Sequence, residues 1–295
     1  MNSSNLKSNN FVTTLAGVLM PKIIYGTAWK EALTTDYVYE AIMCGFRGID
    51  TACQPKHYQE ELVGKGIAKA IKELGLQRRE IFIQTKFTSL DGQDSKRIPY
   101  DKNAELPDQV KQSIAKSLEN LQTDYIDSLV LHSPMNTHDE TMTVWKVFEE
   151  SIGKGEVKQL GISNIYSLKQ LEKIWNESNI QPAVIQNRFY MKSGYDKEIR
   201  EFCRKNKVFY QSFWTLSASP QILASDEIFS IAKKRNCTPE QAYFKFVMQL
   251  SIVPLTGTTS KQHMKQDLAV LEMEELTKDE MESIGKYIKD DLNYI

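Results

Sequence analysis

Cysteine is scarce in this chain. Its four residues, Cys44, Cys53, Cys203 and Cys237, are scattered over 295 positions without a CxxC or a Cys/His cluster. That spacing offers no structural metal set. It offers no disulfide framework either; a chain of this length buries a core without one, and a reducing, cytoplasmic home is expected. Cys53, three residues after Asp50, reads as an unreactive thiol near a pocket. Long apolar runs are missing too, since nothing approaches the roughly 20 residues that a bilayer span needs. Neither sign of charge dominates. A formal net charge of −1 gives no electrostatic basis for binding nucleic acid or an acidic membrane. The opening MNSSNLKSNN is polar and lacks the apolar core of a secretory signal. Residues 1–10 read as a disordered tail and 11–295 as one domain. The G-x-G-x-x-G dinucleotide fingerprint is also wanting. Gly64-Lys65-Gly66 lies inside a helical pattern, has no third glycine at the right offset, and reads as a helix-packing site.

What is present is alternation. Short β-rich apolar runs at 23–27, 48–51, 81–87, 126–132, 159–163, 183–189, 208–213 and 252–256 are separated by helical patterns. The runs are mostly apolar rather than strictly alternating, as parallel strands covered by helices should be. Val63, Ile67, Ile71 and Leu74 fall on one helical face, and so do Val110, Ile114, Leu118 and Leu121. Ser167, Thr238 and Thr277 stand at N-cap positions, with Pro239 suited to a first turn. Eight strands with intervening helices in about 250 residues fit a closed (β/α)8 barrel. An open doubly wound sheet is the rival. Residues 11–22 are expected to form an N-terminal β-hairpin closing the barrel bottom. The polar stretch 88–106 is expected to rim its mouth.

In a barrel, residues at the C-terminal strand ends converge on one mouth. GFRGIDTA (45–52) ends a strand on Asp50; Lys86 ends IFIQTKF, His132 ends IDSLVLH, and Tyr58 follows Asp50 by a short loop. A phenol is a poor acid near neutrality, and an adjacent ammonium lowers its pKa. Lys86 is expected to do this to Tyr58 while Asp50 holds Lys86. His132 can hydrogen-bond a carbonyl oxygen or relay a proton. The set suits protonation of a carbonyl oxygen as hydride reaches its carbon. It does not suit acyl transfer, because no serine or cysteine is paired with a base. Taken singly, each residue has a plain structural reading: an ion pair, a strand-end histidine, a helix-start aromatic. Their conjunction at one mouth carries the functional one.

With these residues in hand, the chain resembles the aldo-keto reductase family along nearly its whole length. GFRGIDTA, KHYQEELVG, IQTKF, LVLHSP and LGISN match that family's segments in order and approximate spacing. The resemblance implies a (β/α)8 TIM barrel, a nicotinamide cofactor bound extended without a Rossmann fold, and reversible carbonyl reduction. It implies Tyr58 as general acid, tuned by Lys86 and Asp50, with His132 orienting the carbonyl. Ser163, Asn164 and Gln186 would bind the carboxamide, and Phe213 would stack on the nicotinamide. Thr27, Asp50 and Leu216 would complete the cofactor contacts. Thr256, Gly257, Thr258, Ser260 and His263 would hold the phosphates, and Gln266 and Asp267 the adenosine. Leu255 and His263 replace the family's usual cations. NADP(H) is nonetheless expected ahead of NAD(H), with Lys261, His263 or Lys265 compensating. Trp29, Tyr58, His132 and Trp214 would line the substrate site, with Tyr190 and the 88–106 loop as further walls, and a short C-terminal tail leaves that pocket open. The expected partner is a small carbonyl compound, and the expected assembly a monomer or weak dimer. A redox-sensing, cofactor-binding regulatory subunit with little turnover is the alternative under the same resemblance.

Overall fold

The computed structural model describes residues 10–289. The tail reading therefore falls outside the described residues except at Asn10, whose carbonyl accepts from the Lys22 N–H at 3.0 Å. Strands β1 (Phe11–Thr13) and β2 (Leu19–Pro21) form an antiparallel hairpin with Val12 opposite Met20.

Eight parallel strands then close a barrel. They are β3 (Ile24–Gly26), β4 (Gly48–Asp50), β5 (Phe82–Phe87), β6 (Ser128–Leu131), β7 (Leu160–Ser163), β8 (Val184–Arg188), β9 (Phe209–Phe213) and β10 (Ile252–Thr256), and β10 pairs with β3. Each lies within one of the eight runs read from the sequence. The closed circle decides against an open doubly wound sheet.

The helices lie outside the barrel. They are α1 (Thr34–Cys44), α2 (Glu60–Leu74), α3 (Leu106–Leu121), α4 (His138–Gly153), α5 (Leu168–Glu177) and α6 (Lys197–Lys205). Then α7 (Pro220–Leu223), α8 (Asp226–Lys234) and α9 (Pro239–Gln249) separate β9 from β10, and α10 (Lys261–Ala269) and α11 (Lys278–Ile288) follow β10. Ser167, Thr238 and Thr277 each cap a helix by accepting a backbone N–H three residues on. Both glycines of Gly64-Lys65-Gly66 are packing sites. A methyl group on Gly64 would sit 2.1 Å from the Asn120 carbonyl at the end of α3, and one on Gly66 would sit 2.7 Å from the Thr35 carbonyl on α1.

Strand periodicity sorts the side chains. On β5, Ile83 and Phe87 face the helices, whereas Phe82 joins an interior cluster with Met20, Ile24, Val130, Val184, Val253 and Leu255. The hairpin's Met20 is fully buried in that cluster, so β2 plugs the barrel floor. The 88–106 stretch is less external than its polarity suggests. Tyr100 is buried against Phe87 and donates to the Thr88 carbonyl at 2.7 Å, and Gln93 is buried donating to the Cys53 and Thr88 carbonyls. Its polar groups are accepted inside because they satisfy backbone carbonyls.

Candidate active site

Above the apolar floor lies a layer of amides. Gln84, Gln186 and Gln211 point inward from β5, β8 and β9. The Gln84 and Gln186 amides donate to the Gln211 Oε1 (2.7 and 2.9 Å) and to Asp50 Oδ1 (2.8 and 3.0 Å). The other Asp50 oxygen accepts from Lys86 Nζ at 2.6 Å, and Lys86, 1 % exposed, also donates to the Thr51 carbonyl. Asp50 is thus held by three donors, and Lys86 is fixed in turn.

Lys86 Nζ lies 5.3 Å from the centroid of the Tyr58 ring. Tyr58 sits in the loop between β4 and α2, its N–H bonded to the Gln54 carbonyl. The start of α2 is anchored just beyond it, where the buried Glu60 accepts from Ser117 and Asn120 at 3.0 Å each and from Thr85. The imidazole of His132 meets the phenol edge-on, with centroids 6.0 Å apart. The four expected residues therefore share one site. One expectation is overturned. Burial, with the Asp50 charge adding to it, pushes the Tyr58 phenol well above its ordinary pKa instead of lowering it. The Lys86 charge is already committed to Asp50 at much shorter range, so little of it reaches the phenol. Burial first, then Lys86 and His57, bring the His132 imidazole down to about 3, so the ring is neutral at physiological pH. Its Nδ1 lies 2.7 Å from Thr88 Oγ1. If the Thr88 hydroxyl is the donor, His132 carries its own hydrogen on Nε2. Cys53 is buried and its thiol is pushed far up by burial and Glu60, which leaves it inert.

A cavity of about 950 Å³ opens over this layer. Thr27, Trp29, Asp50, Tyr58, His132, Ser163, Asn164, Gln186, Phe213, Trp214, Leu216, Thr256, Gly257, Thr258, His263, Gln266 and Asp267 line it. Lys86 lies beneath. Ser260 stands behind as the N-cap of α10, accepting from the His263 N–H. No residue of the 88–106 stretch lines this cavity, and neither does Tyr190. Many of the expected polar groups already have partners. Ser163 Oγ donates to the Gln186 carbonyl, Asn164 Nδ2 to the His132 carbonyl and to Ser163, Thr27 Oγ1 to the Asp50 carbonyl, and Thr256 Oγ1 to Asp267. Thr256 faces α10, on the opposite side of β10 from Leu255. Burial raises the Asp267 carboxyl to about 6. Of the two polar ends of the Gln186 amide, Oε1 alone keeps its capacity for a ligand.

Three non-glycine residues just beyond barrel strands, Trp29, Asn164 and Trp214, have left-handed backbone at φ of +63°, +53° and +57°. All three line the cavity, and such strained backbone gathers at ligand sites. Trp29 (62 % exposed) packs against His57 with centroids 3.8 Å apart and the rings tilted by 38°.

Sequence reading missed several contributors. Lys30 is buried, lines the cavity, donates to the Gly257 carbonyl at 2.7 Å and faces the Tyr25 ring at 5.0 Å. Arg188 lines the mouth. Thr88 orients His132, and Gln84 and Gln211 complete the amide layer. Lys30 and Arg188 follow Trp29 and Gln186 closely in the chain, which was the available signal. Lys261, expected to supply a cation, is paired with Glu40 on α1. Neither it nor Lys265 lines the cavity.

Fold and mouth together define a (β/α)8 barrel that brings Asp50, Tyr58, Lys86 and His132 together at the C-terminal ends of its strands. The chain belongs to the aldo/keto reductase family, oxidoreductases acting on carbonyl groups, whose sequence profile matches residues 22–289. It is 28 % identical to the glyoxal reductase of Bacillus subtilis, over 87 % of this chain and 84 % of that one. It is 27 % identical to an NAD(P)H-dependent D-xylose reductase of Candida tropicalis, over 92 % and 90 %. The crystal structure of an aldo/keto reductase from Brucella melitensis superposes with a TM-score of 0.77 at 25 % identity, covering 94 % of this chain and 98 % of that one. Among the described residues, no helix is long and apolar enough to cross a membrane and no group of side chains has the makings of a metal site.

Proposed function

We propose that this chain reversibly reduces an aldehyde or ketone to an alcohol with a nicotinamide cofactor, Tyr58 giving the proton. The observation that carries this reading is the stack of Asp50, Lys86 and Tyr58 at the cavity floor, with a neutral imidazole at the phenol's edge. Burial keeps the proton on Tyr58, the form a general acid must hold. His132, hydrogen on Nε2, would donate to the carbonyl oxygen and align it with the phenol. Asp50 would hold the Lys86 ammonium beneath the Tyr58 ring, and the phenol would gain its acidity when ligands fill the cavity.

The cavity's chemistry fits the cofactor. Gln186 Oε1 suits a carboxamide N–H, Phe213 offers a phenyl face, and Ser163 and Asn164 flank them. The 256–260 loop and the N-terminus of α10 would hold phosphate, with Lys30 as the nearby cation. When bound, the cofactor supplies the hydride. Lys30 is a cation of this cavity where Lys261 was foreseen, and NADP(H) is kept ahead of NAD(H) in this proposal.

The test is Tyr58→Phe. We expect kcat for aldehyde reduction to fall by about 10²- to 10⁴-fold, while the dissociation constant for NADPH, read by fluorescence titration, stays within threefold. Retained turnover would remove Tyr58 from the role. No specific feature favours a regulatory subunit over an enzyme.

A further inference from the structure

Arg188 ends β8 two residues beyond Gln186. Strand alternation sends both to the inner side. The Gln186 amide reaches Asp50 and Gln211 inside the barrel, so Arg188 leaves the strand into the mouth. Between them Asn187 faces outward, donating to the Ile165 carbonyl and to Asp196. The Arg188 guanidinium lines the same cavity as Tyr58 and His132. Its central carbon lies 4.0 Å from the centroid of the Trp214 ring, with Tyr190 at 5.3 Å and Phe213 at 6.0 Å. This aromatic shelf fixes the plane of the fork and leaves its N–H edge uncommitted. Nε is enclosed and has no hydrogen-bond partner, and among the described residues no carboxylate pairs with the group. A permanently charged, oriented fork without a counter-ion, set at the mouth above a proton donor, is built for an anion that arrives with a ligand.

Two anions could come: a carboxylate on the substrate or a phosphate of the cofactor. The phosphate-suited loop follows β10 and has its own cation in Lys30, with β9 standing between β10 and β8. Arg188 instead neighbours Gln186, at the reacting end. We infer that Arg188 is a specificity-determining residue that receives the carboxylate of an oxo-acid substrate, an aldehyde or ketone bearing a second, anionic end. This rests on the carbonyl-reductase reading of the site.

The probes are 4-carboxybenzaldehyde and its neutral counterpart methyl 4-formylbenzoate, with NADPH, on the full chain and on Arg188→Met and Arg188→Lys. The ratio of kcat/KM for acid over ester should favour the acid in the natural chain. It should fall about 10- to 100-fold in Arg188→Met, chiefly through KM, and be partly restored in Arg188→Lys. Affinity for NADPH should not follow that ratio. An equilibrium titration by tryptophan fluorescence, with NADP⁺ saturating, reads binding of the same two compounds without turnover. If neither aldehyde is reduced, the carbonyl-reductase reading fails, and this titration still decides the role of Arg188. The inference is overturned if acid and ester bind alike. It is overturned equally if Arg188→Met leaves the preference for the acid intact, or if the variant weakens NADPH and not the acid.

Discussion

The Lys86 ammonium lies between Asp50 and the Tyr58 ring, 2.6 Å from the carboxylate oxygen and 5.3 Å from the ring centroid. Counting charges along the sequence makes Lys86 an acidifier of the phenol; counting distances shows its charge already neutralised. Tyr58 therefore stays protonated, and the acid role proposed for it requires its acidity to rise when ligands fill the cavity. Lys30 is the contrasting case. Among the described residues no carboxylate pairs with it, and desolvation alone lowers it to about 8. If it receives cofactor phosphate, only its protonated form does so. NADPH affinity should then be flat below pH 8 and fall as pH rises above it, by up to about tenfold per unit until the pKa of the complex is reached. Titrations from pH 7 to 9.5, where the phosphates themselves do not change charge, check this. Lys30→Met should bind more weakly at pH 7 and lose the slope. A natural chain with no slope would take Lys30 out of the cofactor site.

At the scale of elements, α2 shows what a sequence reveals and what it hides. Val63, Ile67 and the two glycines lie on a helix whose pattern was plain, and the glycines did prove to be packing points. Gly64 meets α3 and Gly66 meets α1. Gly64→Ala should gain about 1 kcal/mol of helix propensity. It would still lose stability overall, by about 1–3 kcal/mol, because the obstructing atom is a backbone carbonyl that cannot rotate away. Urea unfolding would show it as a lower midpoint at unchanged slope. Strands and caps were legible for the same reason as α2, since both follow from local periodicity and short-range hydrogen bonding. Asp50, Tyr58, Lys86 and His132 were legible because a barrel brings strand ends together whatever lies between. The amide layer was not, because a glutamine inside an apolar strand has no local reason to be there; its partners come from other strands, as far along the chain as the 127 residues from Gln84 to Gln211. Tyr100 was hidden likewise, inside a stretch whose average polarity spoke of solvent.

Across the whole molecule, the barrel axis runs from an apolar plug through the amide layer to the mouth. Met20 fills the bottom, and the Gln211 amide touches its sulfur at 3.2 Å. The same amide also donates to Gln84 Oε1 at 3.1 Å, so it loses little if the sulfur goes. Met20→Ala should therefore act on stability alone: about 2–5 kcal/mol from the cavity left at the floor, with kcat per folded molecule held within twofold. Gln211→Leu, one layer higher, should act on both. Its Oε1 is shared by Gln84 and Gln186, whose other donations hold Asp50 under Lys86. Leucine would leave those buried amides short of partners at a cost of about 1–3 kcal/mol. It would also loosen the carboxylate that fixes Lys86, so kcat should drop at least tenfold while NADPH affinity changes little. Thermal unfolding and steady-state kinetics on the two variants check whether stability and chemistry divide between adjacent layers of one barrel. A Met20→Ala variant as slow as Gln211→Leu would show that the floor and the site move together.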